Sequence, residues 1–363
     1  MVLHAFSLAL ACQCAILPKA ALVAFPAGVV SAVIEYFEEA RHHSSLIVEE
    51  WDVKSAGFTA FSGLLAFLLV FRSSQAYGRY WNGCRLAIEL MGSFFDATSA
   101  SISFTFSSKA EHSNIIEFRQ TIISLTSLLT AVSFNDIAGL DPHGEAQDRL
   151  KVIGWQNFDE ATKSAVQAAD EKVHLVFFWW QCYASAAAHG DILNVPPPIL
   201  ARVFAKMGAG FHNYQLAKQL NRTPFPFHYT HVTVWLLLIH LFFTPLTATR
   251  WASQPSVAFL FAFMLVFVFW ALYLISVELE HPFGESEADV DVTAFQRQSN
   301  QALQILLTPE ALRVASFSEG RKGGAGEMEP SGGSQIFQRL RASAKDGESS
   351  SDDDPKGSLM ESC

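Results

Sequence analysis

Apolar residues gather into four long stretches along the chain, at residues 20–37, 56–71, 229–246 and 257–277. At 1.5 Å per residue these stretches would reach about 24–32 Å as helices, close to the roughly 30 Å hydrocarbon core of a bilayer. The last stretch contains no charged residue and is the clearest of the four. The pattern predicts four transmembrane helices, with a buried helix of a soluble protein as the alternative for the two weaker stretches.

The long middle part of the chain, residues 72–228, follows a different pattern. Apolar residues recur at helical spacing over 115–134 and 159–189, and the spacing resumes over 199–220 after three consecutive prolines. A shorter helix is predicted at 292–306. No stretch alternates apolar and polar residues over a useful strand length. We therefore predict an all-α, multi-pass membrane protein whose four spans continue into a helical cytosolic part.

Charged residues orient the predicted spans. Lys19 precedes the first span, and Arg72, Arg79 and Arg85 follow the second. The loop between these two spans, residues 38–54, is acidic. Because cytoplasmic loops carry an excess of Lys and Arg, these basic residues are predicted on the cytoplasmic or stromal side. An even number of spans then returns the C-terminal part to the same side.

The two ends of the chain differ from the part between them. Residues 1–18 are moderately apolar without a basic start, which leaves a weak targeting signal and a helix lying before the first span as alternatives. Residues 318–363 are rich in Gly, Ser and charge and are predicted to be disordered. The predicted division is an N-terminal segment 1–18, a folded domain 19–310 and a disordered tail 318–363.

Composition and motifs narrow the function. Half of the residues are apolar, which is too large a share for an ordinary soluble enzyme. The formal net charge of −10 argues against nucleic-acid binding, because phosphate recognition needs a basic face. The sequence contains no HExxH, Walker A or GxSxG motif, and its cysteines form no CxxC pair. The residues predict no enzymatic activity, no cofactor and no metal centre.

One stripe in the second span has two interpretations. Gly63, Phe67 and Phe71 recur every four residues and therefore share one face of a helix. Such a stripe is typical of a helix–helix seam, where Gly permits close approach, and it can also line a pore. The stripe alone favours the seam.

Three segments next to the predicted spans carry distinctive motifs. The segment after the second span reads FRSSQAYGRYWNG, the one before the third reads NRTPFPFHYTHV, and the one after the last reads EHPFGESEADVDV. Each resembles the bestrophin family at the same place in its plan of four spans, a long helical insertion and a variable tail. The resemblance covers residues 19–310, and its most specific part is the Pro-Phe-Gly-Glu run at 282–285.

The resemblance implies a homopentameric anion channel in a lipid bilayer, passing chloride and other small monovalent anions such as bicarbonate through one central pore. It places the three neck positions of the second helix on Gly63, Phe67 and Phe71, the first of which is Ile in many bestrophins. It places a second, cytosolic aperture on Ile199. The edge of an aromatic ring carries the positive end of its quadrupole, so inward-pointing Phe rings would favour anions over cations.

Arg72 and Arg79 lie at the cytosolic end of the same helix and also have two interpretations. Their field could attract anions to the pore. Alternatively, they anchor the helix end on the cytosolic side and form pairs between subunits, which is the favoured interpretation.

The acidic segment after the last span departs from the family. In calcium-gated bestrophins this segment holds one Ca²⁺ per subunit, but here His281 replaces an Asn and Ser286 replaces an acid. Because Ca²⁺ takes roughly six to eight oxygen ligands, tight calcium gating is disfavoured. The remaining acids are interpreted either as a weak calcium site or as caps of the helix at 292–306. They are Glu285, Glu287, Asp289 and Asp291.

Two other functions stay open at this point, a secondary anion transporter and a non-conducting membrane scaffold or regulatory subunit. Secondary transporters usually show internal repeats and paired broken helices, which this sequence lacks. The sequence also leaves the membrane open, between the plasma membrane and an organelle membrane such as the plastid thylakoid.

Overall fold

The computed structural model describes residues 16–40, 55–139, 151–284 and 289–312. Within these ranges the chain is helical and contains no β-strand. Residues 140–150, most of the N-terminal segment 1–18 and the predicted disordered tail 318–363 lie outside the described residues. The α-helices are α1 (Ile16–Ala40), α2 (Ser55–Phe104), α3 (His112–Ala138), α4 (Glu160–Ala168), α5 (Lys172–His189), α6 (Pro197–Arg222), α7 (Phe227–Ala248), α8 (Pro255–Leu279), α9 (Val292–Ile305) and α10 (Pro309–Leu312).

The chain forms two compact units. Among the described residues, the first unit comprises 16–40, 55–85, 217–284 and 289–290, and the second comprises 86–139, 151–216 and 291–312. The long helices α2 and α6 each contribute to both units.

The first unit contains the four predicted spans. Residues 20–37 lie in α1, 56–71 in the first part of α2, 229–246 in α7 and 257–277 in α8. Each of these helices is long and apolar enough to cross a membrane. The helix α2 continues far beyond its predicted span, because Arg72 ends the apolar run without ending the helix.

Small residues allow α1 and α8 to pack closely in the first unit. Ala24 and Ala27 pack with Val266 in one buried cluster. A Cβ on Gly28 would come within 2.9 Å of the Phe259 ring, so only Gly fits at that crossing.

A second buried cluster joins three helices of the first unit. Leu65 and Leu69 of α2 pack with Leu237 of α7 and Phe269 of α8. This cluster fixes which face of α2 is turned towards the rest of its own subunit.

The second unit is built around α3. This helix is also long and apolar enough to span a bilayer, but most of it is buried inside the described part of the chain. Its Ser and Thr side chains hydrogen-bond to neighbouring helices. Thr126 Oγ1 lies 2.8 Å from Thr98 Oγ1 and accepts from Trp180 Nε1 at 3.0 Å, while Ser127 Oγ donates to Asn300 Oδ1 at 2.7 Å. The helix α3 is therefore the centre of a helical domain with a polar seam.

The stretch 159–189 forms two helices, α4 and α5, where its periodicity suggested continuous helix. The chain becomes extended at Ala169, which ends α4. Asp170 and Glu171 then precede α5, where carboxylates are favourable near the positive end of the helix dipole.

The position of α6 is fixed by a close contact within the second unit. The Phe94 ring occupies the space that a Cβ on Gly210 would need, so α6 approaches α2 more closely there than any other residue would allow. The helix α6 begins at Pro197, inside the proline run and two residues before the predicted start at Ile199, because Pro is well suited to the first turn of a helix.

Candidate functional site

The predicted neck residues lie on the exposed face of α2 in the first unit. Phe67 is 69% exposed, Phe71 is 45% exposed, and Gly63 is exposed as well. At about 100° per residue, Phe67 lies almost opposite the buried Leu65 and Leu69. The stripe is therefore not part of the subunit's own core, and Phe67 stands at the centre of the uncovered face.

The side chains around the neck positions are small. Ala60, Gly63, Ser74 and Gly78 are exposed on the same face, and a Cβ on Gly63 would meet no atom within 4 Å. Phe67 and the neighbouring Phe71 are consequently the bulkiest groups along the middle of this face. A passage lined by this stretch would be narrowed at these two rings, and Trp81, 55% exposed on the same face, lies farther along the helix.

The Phe71 ring packs against a ring of α7. It lies 5.9 Å from the Tyr229 ring, measured between ring centroids. The Tyr229 hydroxyl in turn donates to the backbone oxygen of Leu68 at 2.8 Å. These contacts orient Phe71 relative to the helix that carries it.

Arg72 points into the subunit and away from the exposed face. It is 2% exposed, and its Nη2 donates to Glu280 Oε2 at 3.2 Å. The guanidinium carbon also lies 4.8 Å from the Tyr273 ring centre and 5.6 Å from the Phe225 ring centre. These are distances at which cation–π attraction contributes to stability. Arg72 is therefore buried in a pocket of one carboxylate and two rings.

Glu280 is the counterpart of Arg72 that the sequence patterns did not single out. It is buried, and its Oε1 accepts the backbone N–H of Phe225 at 2.6 Å. The acid thus joins the end of α8, the segment before α7 and α2. A signal did exist, since a carboxylate directly after an apolar span needs a cationic partner when it is buried.

Arg79 binds backbone carbonyls of the first unit. Its Nε donates to the Glu280 backbone oxygen at 3.3 Å, and its Nη2 donates to the backbone oxygens of Leu220 and Thr223 at 2.7 Å each. Both arginines therefore make contacts that anchor α2 within its own subunit, and neither contact set needs a passing anion.

Ile199 lies in the second unit, in the first turn of α6, and is 46% exposed. Its backbone N–H donates to the Pro196 oxygen at 3.0 Å. The proline run thus sets the start of α6 and leaves the Ile199 side chain exposed on its first turn.

The four acids interpreted as a weak calcium site are only partly described. Glu285 and Glu287 lie outside the described residues. Asp289 lies against Gly284, in a loop that the Val290 N–H closes onto the Pro282 oxygen at 2.8 Å. Within the described ranges, no three His, Cys, Asp or Glu side chains group as metal ligands. The calcium site stays a prediction.

Asp291 serves as a helix cap. Its Oδ1 accepts the backbone N–H groups of Thr293 and Ala294 at 2.9 and 3.0 Å, at the start of α9. This is the usual role of Asp at an N-cap and engages one of its oxygens fully.

A profile of a known family matches almost the whole chain. The family is described as bacterial and fungal bestrophin protein, and the match covers residues 2–304. The chain belongs to the bestrophin family. The predicted resemblance is therefore confirmed. Bestrophins are known as channels and not as enzymes. Membership indicates an integral membrane protein of an anion-channel family. No curated protein sequence matches this bestrophin significantly.

Solved structures of bacterial bestrophin homologues share the fold. Two crystal structures of the Klebsiella pneumoniae homologue superpose on this bestrophin with a TM-score of 0.63 at 15% sequence identity. Both alignments cover 78% of this chain, and they cover 98% and 97% of the homologue. At this identity the likeness shows the fold, while the roles of individual residues rest on the geometry above.

Proposed function

We propose that this bestrophin is one subunit of a homopentameric channel that passes chloride and other small monovalent anions, such as bicarbonate, through a central pore. The observation that carries the proposal is the uncovered apolar face of α2, with Phe67 at its centre and Leu65 and Leu69 packed on the opposite side. Five such faces turned towards one axis would cover each other's apolar surface and enclose a passage.

The neck selects anions through its rings. Phe67 and Phe71 of each subunit present ring edges to the axis, and those edges carry partial positive charge. The rings also form an apolar constriction that closes by dewetting when they rotate inwards slightly. Transport is passive and involves no chemical step. Ile199 forms a second constriction in the cytosolic part.

Four helices cross the bilayer in this proposal: α1, the first part of α2, α7 and α8. Burial of α3 in the second unit supports this number, because a helix already covered by protein does not need lipid around it. Arg72 and Arg79 anchor α2 at the cytosolic boundary and are not the anion filter. The proposal holds for a plasma membrane and for an organelle membrane such as the thylakoid.

Reconstitution tests the function. Purified protein in a planar bilayer under a tenfold NaCl gradient is expected to show discrete openings that reverse near the chloride equilibrium potential, about 59 mV from zero. Native mass spectrometry of the same sample is expected to give five subunits. Flux without discrete openings would favour a transporter. A pentamer that conducts no anion would favour a scaffold.

Gly63→Ile is expected to lower single-channel chloride conductance by roughly twofold or more, because it adds a third apolar ring to the neck. The thermal midpoint of the pentamer should not fall, since the space beyond Gly63 is open in the subunit. Single-channel recording and a melting curve in detergent measure both quantities.

Gly57→Ile is the matched control, because a Cβ there also meets no atom within 4 Å. Gly57 lies about 80° from Phe67 around the helix axis. Equal conductance of the two variants would argue against a neck at Gly63.

A further inference from the structure

The helix α6 is basic in a chain that is acidic overall. Its 26 residues contain no Asp or Glu, although the whole chain carries a formal charge of −10. The Lys and Arg residues of α6 are Arg202, Lys206, Lys218 and Arg222. Arg202 and Lys206 belong to the second unit and follow Ile199 by one and two helical turns.

Arg202 and Lys206 lie on the exposed side of Ile199. Around the helix axis they are about 60° and 20° from Ile199 in the same direction. Val203 and Met207, on the other side of Ile199, are buried. The exposed face of α6 therefore begins at Ile199 and continues into the two basic side chains.

The two basic side chains differ in their partners. Lys206 Nζ lies 3.0 Å from Asp96 Oδ2, so its charge is partly compensated. Arg202 is exposed, and among the described residues no carboxylate lies within ion-pair distance of it. Because an Arg side chain stays protonated at any physiological pH, Arg202 is a fixed positive charge, and no described carboxylate neutralises it.

We propose that the Arg202 side chains form an electropositive ring beside the Ile199 aperture, which concentrates anions there and sets the conductance from the cytosolic side. This inference rests on the proposed channel function and on Ile199 lining the pore. Fixed charges near a low-dielectric passage raise the local concentration of counter-ions. The effect depends on salt, because the Debye length falls from about 14 Å near 0.05 M to about 3 Å at 1 M.

Arg202→Gln tests the ring, with Arg297→Gln as the matched control. Arg297 is an exposed Arg of α9 in the same unit and does not lie on α6. In planar bilayers with symmetric 0.05 M NaCl, Arg202→Gln is expected to lower single-channel current roughly twofold or more for anions entering from the cytosolic side. Anions entering from the opposite side should be affected less, and the difference should nearly vanish in 1 M NaCl.

Arg202→Lys keeps the charge and is expected to conduct like the wild type at both salt concentrations. If Arg202→Gln fails to assemble, the wild-type channel gives the second readout, since its cytosolic-entry current should level off at low salt instead of falling in proportion. The inference is overturned if Arg202→Gln and Arg297→Gln carry equal single-channel current at low salt. It is also overturned if Arg202→Gln loses the same current for anions entering from either side, or if the wild-type current is proportional to the salt concentration. The proposed function fails separately, when the wild-type protein conducts no anion at all.

Discussion

Phe67→Ala is expected to raise single-channel chloride conductance by about two- to fivefold and to weaken selectivity for chloride over sodium. The substitution removes the bulkiest group from the centre of the exposed α2 face and leaves a wider neck without its positive ring edges. Single-channel current and reversal potential under a NaCl gradient measure the two changes. The subunit itself should stay as stable as before, because Phe67 is largely exposed and belongs to neither of the buried clusters that the described residues of the first unit form.

Phe242→Ala is the matched control for this prediction. Phe242 lies on α7 within the predicted third span and is 65% exposed, nearly as much as Phe67. If both exposed rings simply faced lipid, the two variants would behave alike. Unchanged conductance and selectivity in Phe67→Ala would contradict the neck and would favour a scaffold or another permeation path.

Glu280→Gln is expected to lower the free energy of unfolding by about 3 kcal/mol or more, because it leaves the Arg72 charge buried without a counter-charge. Assembly in detergent should weaken as well, since Glu280 also receives the Phe225 N–H and its backbone oxygen receives Arg79. Denaturant or thermal unfolding followed by far-UV circular dichroism measures the loss of unfolding free energy. Size-exclusion chromatography measures the loss of assembly.

Two further variants distinguish the loss of the Arg72–Glu280 ion pair from a general effect of replacing a carboxylate. Glu39→Gln removes an exposed carboxylate from α1 and is expected to change stability very little. The double variant Arg72→Met with Glu280→Leu removes both charges and is expected to recover much of the lost stability. A Glu280→Gln protein as stable as the Glu39→Gln protein would contradict the buried pair.

The arrangement of the first unit follows closely from the sequence because bilayer thickness leaves few choices. Each of the four apolar stretches lies in a helix that is long enough to span, and the spacing of four places Gly63, Phe67 and Phe71 on one face. Whether that face packed inside the subunit or stayed uncovered could not be read from spacing. Only the position of Leu65 and Leu69 against other helices decides it.

Other features escaped prediction for identifiable reasons. Hydropathy marks where an apolar span ends but not where its helix ends, so the extension of α2 as far as Phe104 was not foreseen. The break between α4 and α5 depends on the extended backbone at Ala169, which apolar periodicity does not report. The Arg72–Glu280 pair joins residues 208 positions apart, and pattern reasoning along the chain has no access to such a distance.

Thiol accessibility at Phe67 tests the central claim most directly. Phe67→Cys channels, held open in a bilayer, are exposed to a charged thiol reagent that cannot cross lipid, with Phe242→Cys and the wild type as controls. Cys182 is an exposed native thiol, so the wild type measures its background reaction, while Cys84 should react slowly because burial raises the pKa of its thiol. The account predicts a rapid change of chloride current in Phe67→Cys alone. Current that stays unchanged in Phe67→Cys, or that changes equally in Phe242→Cys, would contradict a pore lined by α2.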